Sequence, residues 1–390
     1  MSDRRTLFPH QVKGLSLLRQ SYLAGNRRIG LQSPTGSGKS VTMATITREA
    51  VIKGNTVLTT VPFTTLVDQM VAMYWSEGIR QVGVMQGKHP LTNGLMPVQV
   101  ATLQTLARRE IEQPSIVLVD EFHINFKLIG DLMARWPNTL FIGFSATPGT
   151  KGLGRIWQDL VTPTTTEELM TTVNPLTGRP FLSPFKVYAA DHPDLSGIRT
   201  VAGDYHEGQL SERMSSVKLI ADAAHTWKTQ ALGRPTLAFC VDRAHASKVH
   251  EQYCAASIHA EYVDAFTPRL EREAIRKRME SGETEVAVNI GTLTTGTDWP
   301  FIACIQLCRP TKSKMLFKQI VGRGLRDHPG KDHCLVLDHS DSTQRLGFVT
   351  DIERNGLDDG TAPTASARKE RDTGMPQLPL PHVRGHQPLP

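Results

Sequence analysis

The sequence lacks the features of a secreted or membrane-spanning protein, and it has little cysteine. Its five cysteines among 390 residues are scattered, odd in number and never spaced as Cys-x-x-Cys, so we expect neither a disulfide framework nor a zinc site. No run of eighteen apolar residues occurs, and the polar N-terminus lacks the apolar segment of a secretion signal. These absences predict a globular protein of the reducing cytoplasm, in which Cys304 and Cys308 are small buried residues of a strand.

Net charge and the absence of repeats say little about the binding partner or the fold class. The net charge is +6, which is compatible with a polyanionic partner but does not require one. No short-period repeat is present, which argues against a solenoid. The length and a hydrophobic content of 39% suit two domains with cores of their own.

Apolar runs typical of strands alternate with helical stretches, and this alternation predicts an α/β fold with parallel, doubly wound sheets. In the first half the predicted strands are residues 29–32, 56–61, 82–85, 98–101, 116–119 and 140–144. In the second half they are residues 185–189, 236–241, 260–263, 286–290, 303–307 and 334–337. The predicted helices between them include residues 40–52, 65–75, 209–230, 243–255, 268–281 and 315–322.

Composition divides the chain into four parts. Residues 1–160 and 185–350 carry the two alternating patterns and are the predicted domains. Residues 161–184, rich in Thr, Pro and Gly, form the predicted crossing between them. Residues 351–390 are rich in proline and poor in apolar side chains, so we expect a disordered tail.

The most informative segment is residues 33–40, Ser-Pro-Thr-Gly-Ser-Gly-Lys-Ser, between a predicted strand and a predicted helix. Its glycines let backbone N–H groups approach phosphate oxygens, and the helix N-terminus adds positive charge. Lys39 can then reach the outer phosphates and Ser40 can hold Mg²⁺. The segment predicts a nucleoside triphosphate site, although Ser33 replaces the usual first glycine. A plain glycine-rich turn, the alternative, has no use for the Lys-Ser pair.

An acidic pair follows a second buried strand. The apolar residues 116–119 lead into Asp120, Glu121, Phe122 and His123. At the carboxyl end of such a strand, beside a phosphate loop, Asp120 is placed to hold Mg²⁺ and Glu121 to activate a water. The alternative is a solvated strand end.

Two arginines near the end of the second half could stabilise the negative charge that develops on a transferred phosphoryl group. The first half has no such group. Arg323 and Arg326 are at helical spacing within residues 319–326, so both would face one side. Across a cleft from the phosphate loop they would act as arginine fingers, and Gln319 could orient the attacking water. The alternative is a basic turn on the surface.

Together these motifs make the chain resemble the superfamily-two DExH-box helicases, particularly compact phage and bacterial DNA helicases related to the motor subunits of restriction enzymes. The resemblance extends from about residue 7 to 340. It rests on motifs in family order, at residues 8–11 (Phe-Pro-His-Gln), 33–40, 61–69, 101–106, 120–123, 144–148, 237–240, 291–298 and 319–326.

The resemblance implies two tandem RecA-like domains with ATP in the cleft between them. Gln11 would read adenine, while Gly296 and Asp298 would lie near the nucleotide and sense it. Ser145 and Thr147 would link ATP state to domain closure, and His123 would couple the Mg²⁺ site to Gln319. The phosphate-loop contacts implied are Thr35, Gly36, Ser37, Gly38, Lys39 and Ser40.

The resemblance also implies a nucleic-acid path across both domains that grips backbone phosphates rather than bases. The family positions for these contacts are Thr64, Thr102, Gln104, Thr294 and Thr295. Helix capping and turn chemistry are equally good explanations of each threonine. Lys312, Lys314 and Lys318 could add charge there or form a solvated face.

The function expected on this basis is that of an ATP- and Mg²⁺-dependent DNA helicase or translocase, with DNA favoured over RNA. Two alternatives stay open: an RNA helicase, and an ATP-switched subunit that recruits a nuclease or a replication or recombination protein. The chain ends soon after its last motif, so we expect a bare motor, for which a monomer is plausible. The crossing is the one candidate for an inserted hairpin.

Overall fold

Strands that are apolar on both faces build two parallel sheets in this chain, as the sequence predicts. The computed structural model describes residues 5–189, 192–294, 298–353 and 356–361. Alternate residues of each strand enter separate cores: Val57 and Val61 pack on one side of the first sheet, and Leu58 packs on the other. The second sheet is likewise covered on both faces. The predicted fold of two doubly wound α/β units is confirmed.

The first unit, called here the first lobe, has a seven-stranded parallel sheet in the order β3-β4-β2-β5-β6-β1-β7. Its elements are α1 (Pro9–Leu23), β1 (Arg28–Gln32), α2 (Lys39–Ile52), β2 (Val57–Val61), α3 (Val67–Ser76), β3 (Val82–Met85), β4 (Val98–Thr102), α4 (Leu103–Leu106), β5 (Ile116–Asp120), α5 (Phe126–Arg135), β6 (Leu140–Ser145) and β7 (Asp159–Val161). In the register, Gln32 lies beside Ser145 and Asp120 beside Phe144. The loops that follow β1, β5 and β6 therefore leave the sheet at one edge.

The second lobe follows α6 (Thr166–Thr171) and has a six-stranded parallel sheet in the order β12-β13-β11-β14-β15-β8. Its elements are β8 (Phe185–Tyr188), β9 (Thr200–Val201), β10 (Asp204–Tyr205), α7 (Glu207–Met214), α8 (Val217–Gln230), β11 (Thr236–Phe239), α9 (Arg243–Ala255), β12 (Ala260–Val263), α10 (Arg269–Ser281), β13 (Val286–Asn289), β14 (Cys304–Leu307), α11 (Lys314–Gly324), β15 (Cys334–Asp338) and α12 (Ser342–Leu346). Strands β9 and β10 form a separate antiparallel hairpin.

The structure differs from the predicted elements in a few places. The single helix predicted over residues 209–230 is two helices, because the Ser216 hydroxyl accepts the Leu219 N–H and caps a new start. The helix predicted from residue 65 begins with a 3₁₀ turn, Thr64–Leu66. Strands β7, β9 and β10 have two or three residues each and were not predicted. Such short segments carry too little periodicity to detect.

The segment after α12 returns to the first lobe. Gly154 donates its N–H to the Asp358 carbonyl at 2.8 Å, and Arg155 Nε donates to the Asp359 carbonyl at 2.8 Å. Leu357 packs against the core of the first lobe. The disorder expected from residue 351 therefore does not hold for residues 356–361, whose backbone is hydrogen-bonded. Residues 362–390 lie outside the described part, and the domain boundaries stay predictions.

Among the residues that the structure describes, no helix combines the length and the apolar character needed to cross a bilayer.

Candidate active site

The phosphate loop after β1 has the geometry that its glycines predict. Gly36 and Gly38 have φ values of 88° and 79°, in the left-handed region that side chains avoid. A Cβ on Gly38 would also collide with the amide of Gln11. Ser33, which replaces the usual first glycine, donates its hydroxyl to that of Ser37 at 2.7 Å and so ties the two ends of the loop together.

The lysine and the acids of the first lobe form one group of partly buried charges. Burial lowers the pKa of Lys39, an effect that the nearby carboxylates of Glu121 and Asp120 oppose. Burial, followed by the Glu121 charge, raises the pKa of Asp120 to about 7, whereas Lys39 lowers it. Charges withdrawn from solvent in this way are stable only when they are partnered. The arrangement therefore suits a ligand that brings both negative phosphates and a cation.

Ser145, at the end of β6, holds Glu121 in place. Its hydroxyl donates to Glu121 Oε2 at 2.9 Å and lies 2.8 Å from His123 Nδ1. Because a hydroxyl has one proton, His123 must be the donor to Ser145, which places a proton on Nδ1. The Thr147 N–H also donates to this hydroxyl, at 2.9 Å. Across the cleft, Gln319 Nε2 donates to the Thr147 hydroxyl at 3.4 Å.

The network also connects His123 with Gln319 of the second lobe. The sequence analysis predicts that His123 couples the Mg²⁺ site to Gln319, and in the structure Gln319 contacts Thr147. Ser145 then connects Thr147 to both Glu121 and His123. The loops after β5 and β6 lie side by side because their strands are neighbours in the sheet.

The two arginines lie opposite the phosphate loop. Arg323 is in the last turn of α11, whereas Arg326 lies just beyond the helix and pairs with Asp298. Burial lowers the pKa of each to about 10, so both stay charged at neutral pH. The helix approaches closely enough that a Cβ on Gly322 would lie 3.4 Å from the Thr35 side chain. Arg326 Nε is buried and has no hydrogen-bond partner among the described residues, which leaves a donor for a ligand oxygen.

These groups from both lobes line a single cleft of about 700 Å³. The predicted site residues among its lining are Thr35, Gly36, Gly38, Lys39, Ser40, Asp120, Glu121, Asp298, Gln319, Arg323 and Arg326. Ser37 is buried beneath the loop, and Gly296 lies outside the described residues. The structure thus brings together the loop, the acids and the arginines, as the sequence analysis expected.

Gln11 is placed differently from its expected role. Its Oε1 accepts the Phe8 N–H at 2.9 Å, and its Nε2 donates to the carbonyls of Ser37 and Gly38 at 3.2 and 3.3 Å. Its side chain is buried and supports the phosphate loop from behind. Among the described residues the cleft is lined instead by Phe8 of the same motif and by Asn174, Thr177, Arg179 and Phe181 of the crossing. None of these five was predicted as a site residue. Phe8 was noted only as part of the opening motif, and the crossing only as a candidate for an inserted hairpin.

A divalent cation at this site would depend on the nucleotide. Within residues 5–189, 192–294, 298–353 and 356–361, no three His, Cys, Asp or Glu side chains are grouped to hold a metal. Ser40 and Asp120 both line the cleft and fit Mg²⁺, which accepts few protein ligands and takes the rest from phosphates and water.

A second, more open groove of about 810 Å³ runs between the lobes. Thr64, Thr102 and Gln104, which the sequence analysis predicts to contact nucleic acid, line it. However, the Thr102 hydroxyl accepts the Thr105 N–H at 3.3 Å and caps α4, which is the alternative considered for these threonines. Thr294 is buried outside this lining, and Thr295 lies outside the described residues.

Some lining residues of the groove were missed, and one predicted cation is elsewhere. The groove also contains Phe63, Arg108, Arg109, Arg272 and Thr292. Arg108 and Arg109 lie two and three residues after the predicted contact motif at residues 101–106, and this proximity could have identified them. Lys318 is buried, and its ammonium donates to Glu353 at 2.9 Å and to the Ile352 carbonyl at 2.7 Å. Its ammonium therefore holds the segment that follows α12.

Comparison with known families agrees with this geometry. The family described as the res subunit of type III restriction enzymes matches residues 4–150, and the helicase conserved C-terminal domain matches residues 217–328. The chain is 30% identical over 361 residues to a Saccharomyces cerevisiae protein assigned as the ATP-dependent helicase IRC3, covering 84% of this chain and 50% of that protein. It is 27% identical over 315 residues to the 51.5 kDa protein of a Lactococcus phage (isolate 7-9), covering 78% and 64%. The chain thus spans only half to just under two thirds of these relatives.

Solved structures with the same fold include two from restriction systems. A fragment assigned as the HsdR subunit of a type I restriction enzyme from Vibrio vulnificus YJ016 aligns with a TM-score of 0.65 at 18% identity, covering 92% of this chain and 68% of that one. The ATP-dependent type ISP restriction-modification enzyme LlaBIII, bound to DNA, aligns with a TM-score of 0.61 at 15% identity, covering 85% and 28%. At such identities the likeness shows the fold alone. The two family models match in order around the shared cleft, and together with the 30% identical relative they support a superfamily-two helicase related to restriction-enzyme subunits.

Proposed function

We propose that this chain is a DNA translocase or helicase that hydrolyses ATP between its two lobes. The observation that carries the proposal is the joint lining of one cleft by Lys39, Asp120 and Glu121 of the first lobe and by Arg323 and Arg326 of the second. A site divided in this way is complete only when the lobes are together. Opening and closing of the lobes can therefore be tied to the state of the nucleotide.

Each charged group has a role in phosphoryl transfer that matches its position. Lys39 would bind the outer phosphates, while Arg323 and Arg326 would stabilise the charge that develops on the transferred group. Glu121, held through Ser145, would accept the proton of the attacking water. Gln319 lines the same cleft, contacts Thr147 and would orient that water.

The cofactors proposed are ATP and Mg²⁺. Ser40 and Asp120 would hold the cation, which would neutralise phosphate charge when bound. The raised pKa of Asp120 supports this role, because a buried carboxylate is stabilised by a nearby cation.

The groove is the proposed path for the nucleic-acid backbone. Thr64, Gln104, Arg108, Arg109 and Arg272 line it from the two lobes. Hydroxyl, amide and guanidinium groups bind phosphates without reading sequence, which a moving enzyme requires. DNA is proposed over RNA because the family relationship is to DNA-restriction subunits.

The experiment that tests this function measures ATP hydrolysis and strand displacement on the same substrates. The panel holds single-stranded DNA and RNA of equal length, blunt duplex, overhangs and forks. We expect hydrolysis to be stimulated by DNA more than by RNA, with Lys39→Ala inactive on every substrate. Strand displacement would distinguish a helicase from a translocase.

Two results would overturn the proposal. Equal or greater stimulation by RNA would identify an RNA helicase, and ATP binding without stimulated hydrolysis on any substrate would identify a nucleotide-switched binding subunit.

A further inference from the structure

The crossing between the lobes contains a closed turn, residues 173–180, which we call the crossing hairpin. Val173 and Pro180 pair as an antiparallel bridge. Inside it, the Asn174 N–H donates to the Arg179 carbonyl at 2.7 Å, and the Asn174 carbonyl accepts the N–H groups of Thr177 and Gly178 at 3.2 and 2.9 Å. Gly178 has a φ of 69°, which suits glycine. The hairpin therefore holds its shape through its own backbone bonds.

The hairpin is fixed to the arginine segment of the second lobe. Arg179 makes a two-pronged ion pair with Asp327, with distances of 2.9 Å from Nε to Oδ1 and 2.8 Å from Nη2 to Oδ2. Asp327 directly follows Arg326. The Ser183 N–H also donates to the Leu325 carbonyl at 2.7 Å. Any displacement of Arg326 would therefore carry the hairpin with it, because bidentate pairs restrict orientation as well as distance.

The residues just after the hairpin press on the first lobe. The Phe181 ring meets the Phe8 ring edge to face, with centroids 4.7 Å apart, and lies 4.9 Å from the His10 ring. Leu182 packs against Gly36 so closely that a Cβ on that glycine would lie 2.9 Å from its Cδ2. The same short stretch thus contacts the opening motif and the phosphate loop.

The cleft lining divides into two kinds of chemistry. Lys39, the acids and the arginines suit phosphates and a cation. Phe8 and the hairpin residues Asn174 and Thr177 line the same cleft. Asn174 Oδ1 and the Thr177 hydroxyl oxygen accept the N–H groups of Leu176 and Arg179 within the hairpin, at 3.0 and 3.3 Å. The cleft is therefore offered an aromatic ring, the Asn174 NH₂ donors and the Thr177 O–H donor. These are the groups that recognise a nucleobase, by stacking on its face and by hydrogen bonding to its edge. The amide of Gln11 is already taken by the phosphate loop.

We propose that the crossing hairpin is the wall of the nucleotide site that contacts the base, and that the Arg179–Asp327 pair sets its position together with Arg326. The inference rests on the proposed function, since it concerns the same nucleotide. It assigns Asn174 and Thr177 to base recognition and makes Arg179 a positioning residue. Binding of the base would then affect the position of Arg326, because the Arg179–Asp327 pair joins the hairpin to the chain beside that arginine.

The test compares a ligand with a base to one without. Binding of ATP and of inorganic tripolyphosphate, each with Mg²⁺, is measured for the full chain by calorimetry. For Asn174→Ala combined with Thr177→Ala, we expect ATP affinity to fall about tenfold, the loss of two modest hydrogen bonds, while tripolyphosphate affinity stays unchanged. In the same double variant, the difference between the affinities for ATP and GTP should also become smaller. Equal losses for ATP and tripolyphosphate, or no loss for either, would overturn base recognition.

The positioning role needs its own variant and a matched control. For Arg179→Ala we expect both a higher KM for ATP and a lower kcat, with much of the activity restored by the exchanged pair Arg179→Asp with Asp327→Arg. Arg278→Ala is the control, because Arg278 makes an equally close two-pronged pair with Glu261, at 2.8 and 2.6 Å, in the second lobe outside the cleft lining. If Arg278→Ala had the same effect, or if only KM changed in Arg179→Ala, the shared positioning would be wrong.

This test separates failure of the inference from failure of the proposed function. Binding of ATP and tripolyphosphate can be measured even if the chain hydrolyses nothing on any nucleic acid. Thermal melting of each variant excludes misfolding as the cause of a lost affinity.

Discussion

The nucleotide cleft and the groove have similar volumes, about 700 and 810 Å³, but their charged side chains differ in how much solvent they meet. In the cleft Arg323 is buried, and the partly buried Lys39 donates its ammonium to the Ser33 carbonyl. In the groove, Gln104, Arg108 and Arg109 are exposed to solvent. A buried charge needs one specific partner, whereas an exposed phosphate contact can be made by many residue types. The cleft should therefore be sensitive to single changes and the groove tolerant of them.

The largest effect is expected for Glu121→Gln. The variant keeps the shape of the side chain but removes the proton acceptor, so kcat for ATP should fall about 10³-fold while ATP affinity is retained. Single-turnover hydrolysis and equilibrium binding measure the two quantities separately. Hydrolysis near the unmutated rate would remove Glu121 from its proposed role.

A smaller loss is expected for Arg326→Ala. Removing one of two charge-stabilising donors should lower kcat about 10²-fold with nearly normal nucleotide affinity, since Lys39 and the loop still bind the phosphates. The measurement is steady-state hydrolysis with saturating DNA. A defect confined to affinity would contradict the finger role of this arginine.

In the groove, Arg108→Ala combined with Arg109→Ala should lower affinity for single-stranded DNA about tenfold, and it should leave ATP affinity alone. Each lost phosphate contact should also reduce the slope of log affinity against log salt by roughly 0.7. Fluorescence anisotropy over a salt series measures both.

The matched control for the groove is Lys218→Ala with Lys228→Ala, which removes two exposed charges from α8, away from the groove lining. If this control weakened DNA binding as much as the arginine variant, the groove would have no special role.

The smallest effect concerns pH. Burial raises the pKa of Asp120 to about 7, so in the nucleotide-free protein its carboxylate gains a proton below that pH. That raised pKa favours the folded state at low pH, and this stabilisation is lost as pH rises through about 7. Because Mg²⁺ binding needs the ionised form, Mg²⁺-dependent ADP affinity should rise about threefold from pH 6.5 to 7.5.

Asp120→Asn should abolish this rise, and ADP binding without Mg²⁺ serves as the reference. A rise that persisted in the variant would assign the titration to another group.

The contrast between the two cavities also explains how much could be predicted. The phosphate loop, the acids and the arginines were identified because triphosphate chemistry demands those residue types at fixed local spacing. Thr64, Thr102 and Gln104 line the groove, but the Thr102 hydroxyl accepts the Thr105 N–H and caps α4. A threonine hydroxyl can cap a helix or contact a phosphate equally well, so the sequence alone cannot distinguish the two roles.

The sequence by itself determined the alternation of strands and helices and the local motifs that follow strand ends, since these depend on neighbouring residues. Only the tertiary structure decided that Lys318 turns inward to Glu353, that Gln11 braces the phosphate loop, and that the crossing hairpin lines the cleft. These facts depend on which surfaces meet when the lobes pack together. Glu353, for example, also accepts a hydrogen bond from Gln32 of the first lobe at 2.7 Å, across 321 positions in sequence. No local pattern encodes such a meeting, because it is set by the packing of two separately formed sheets.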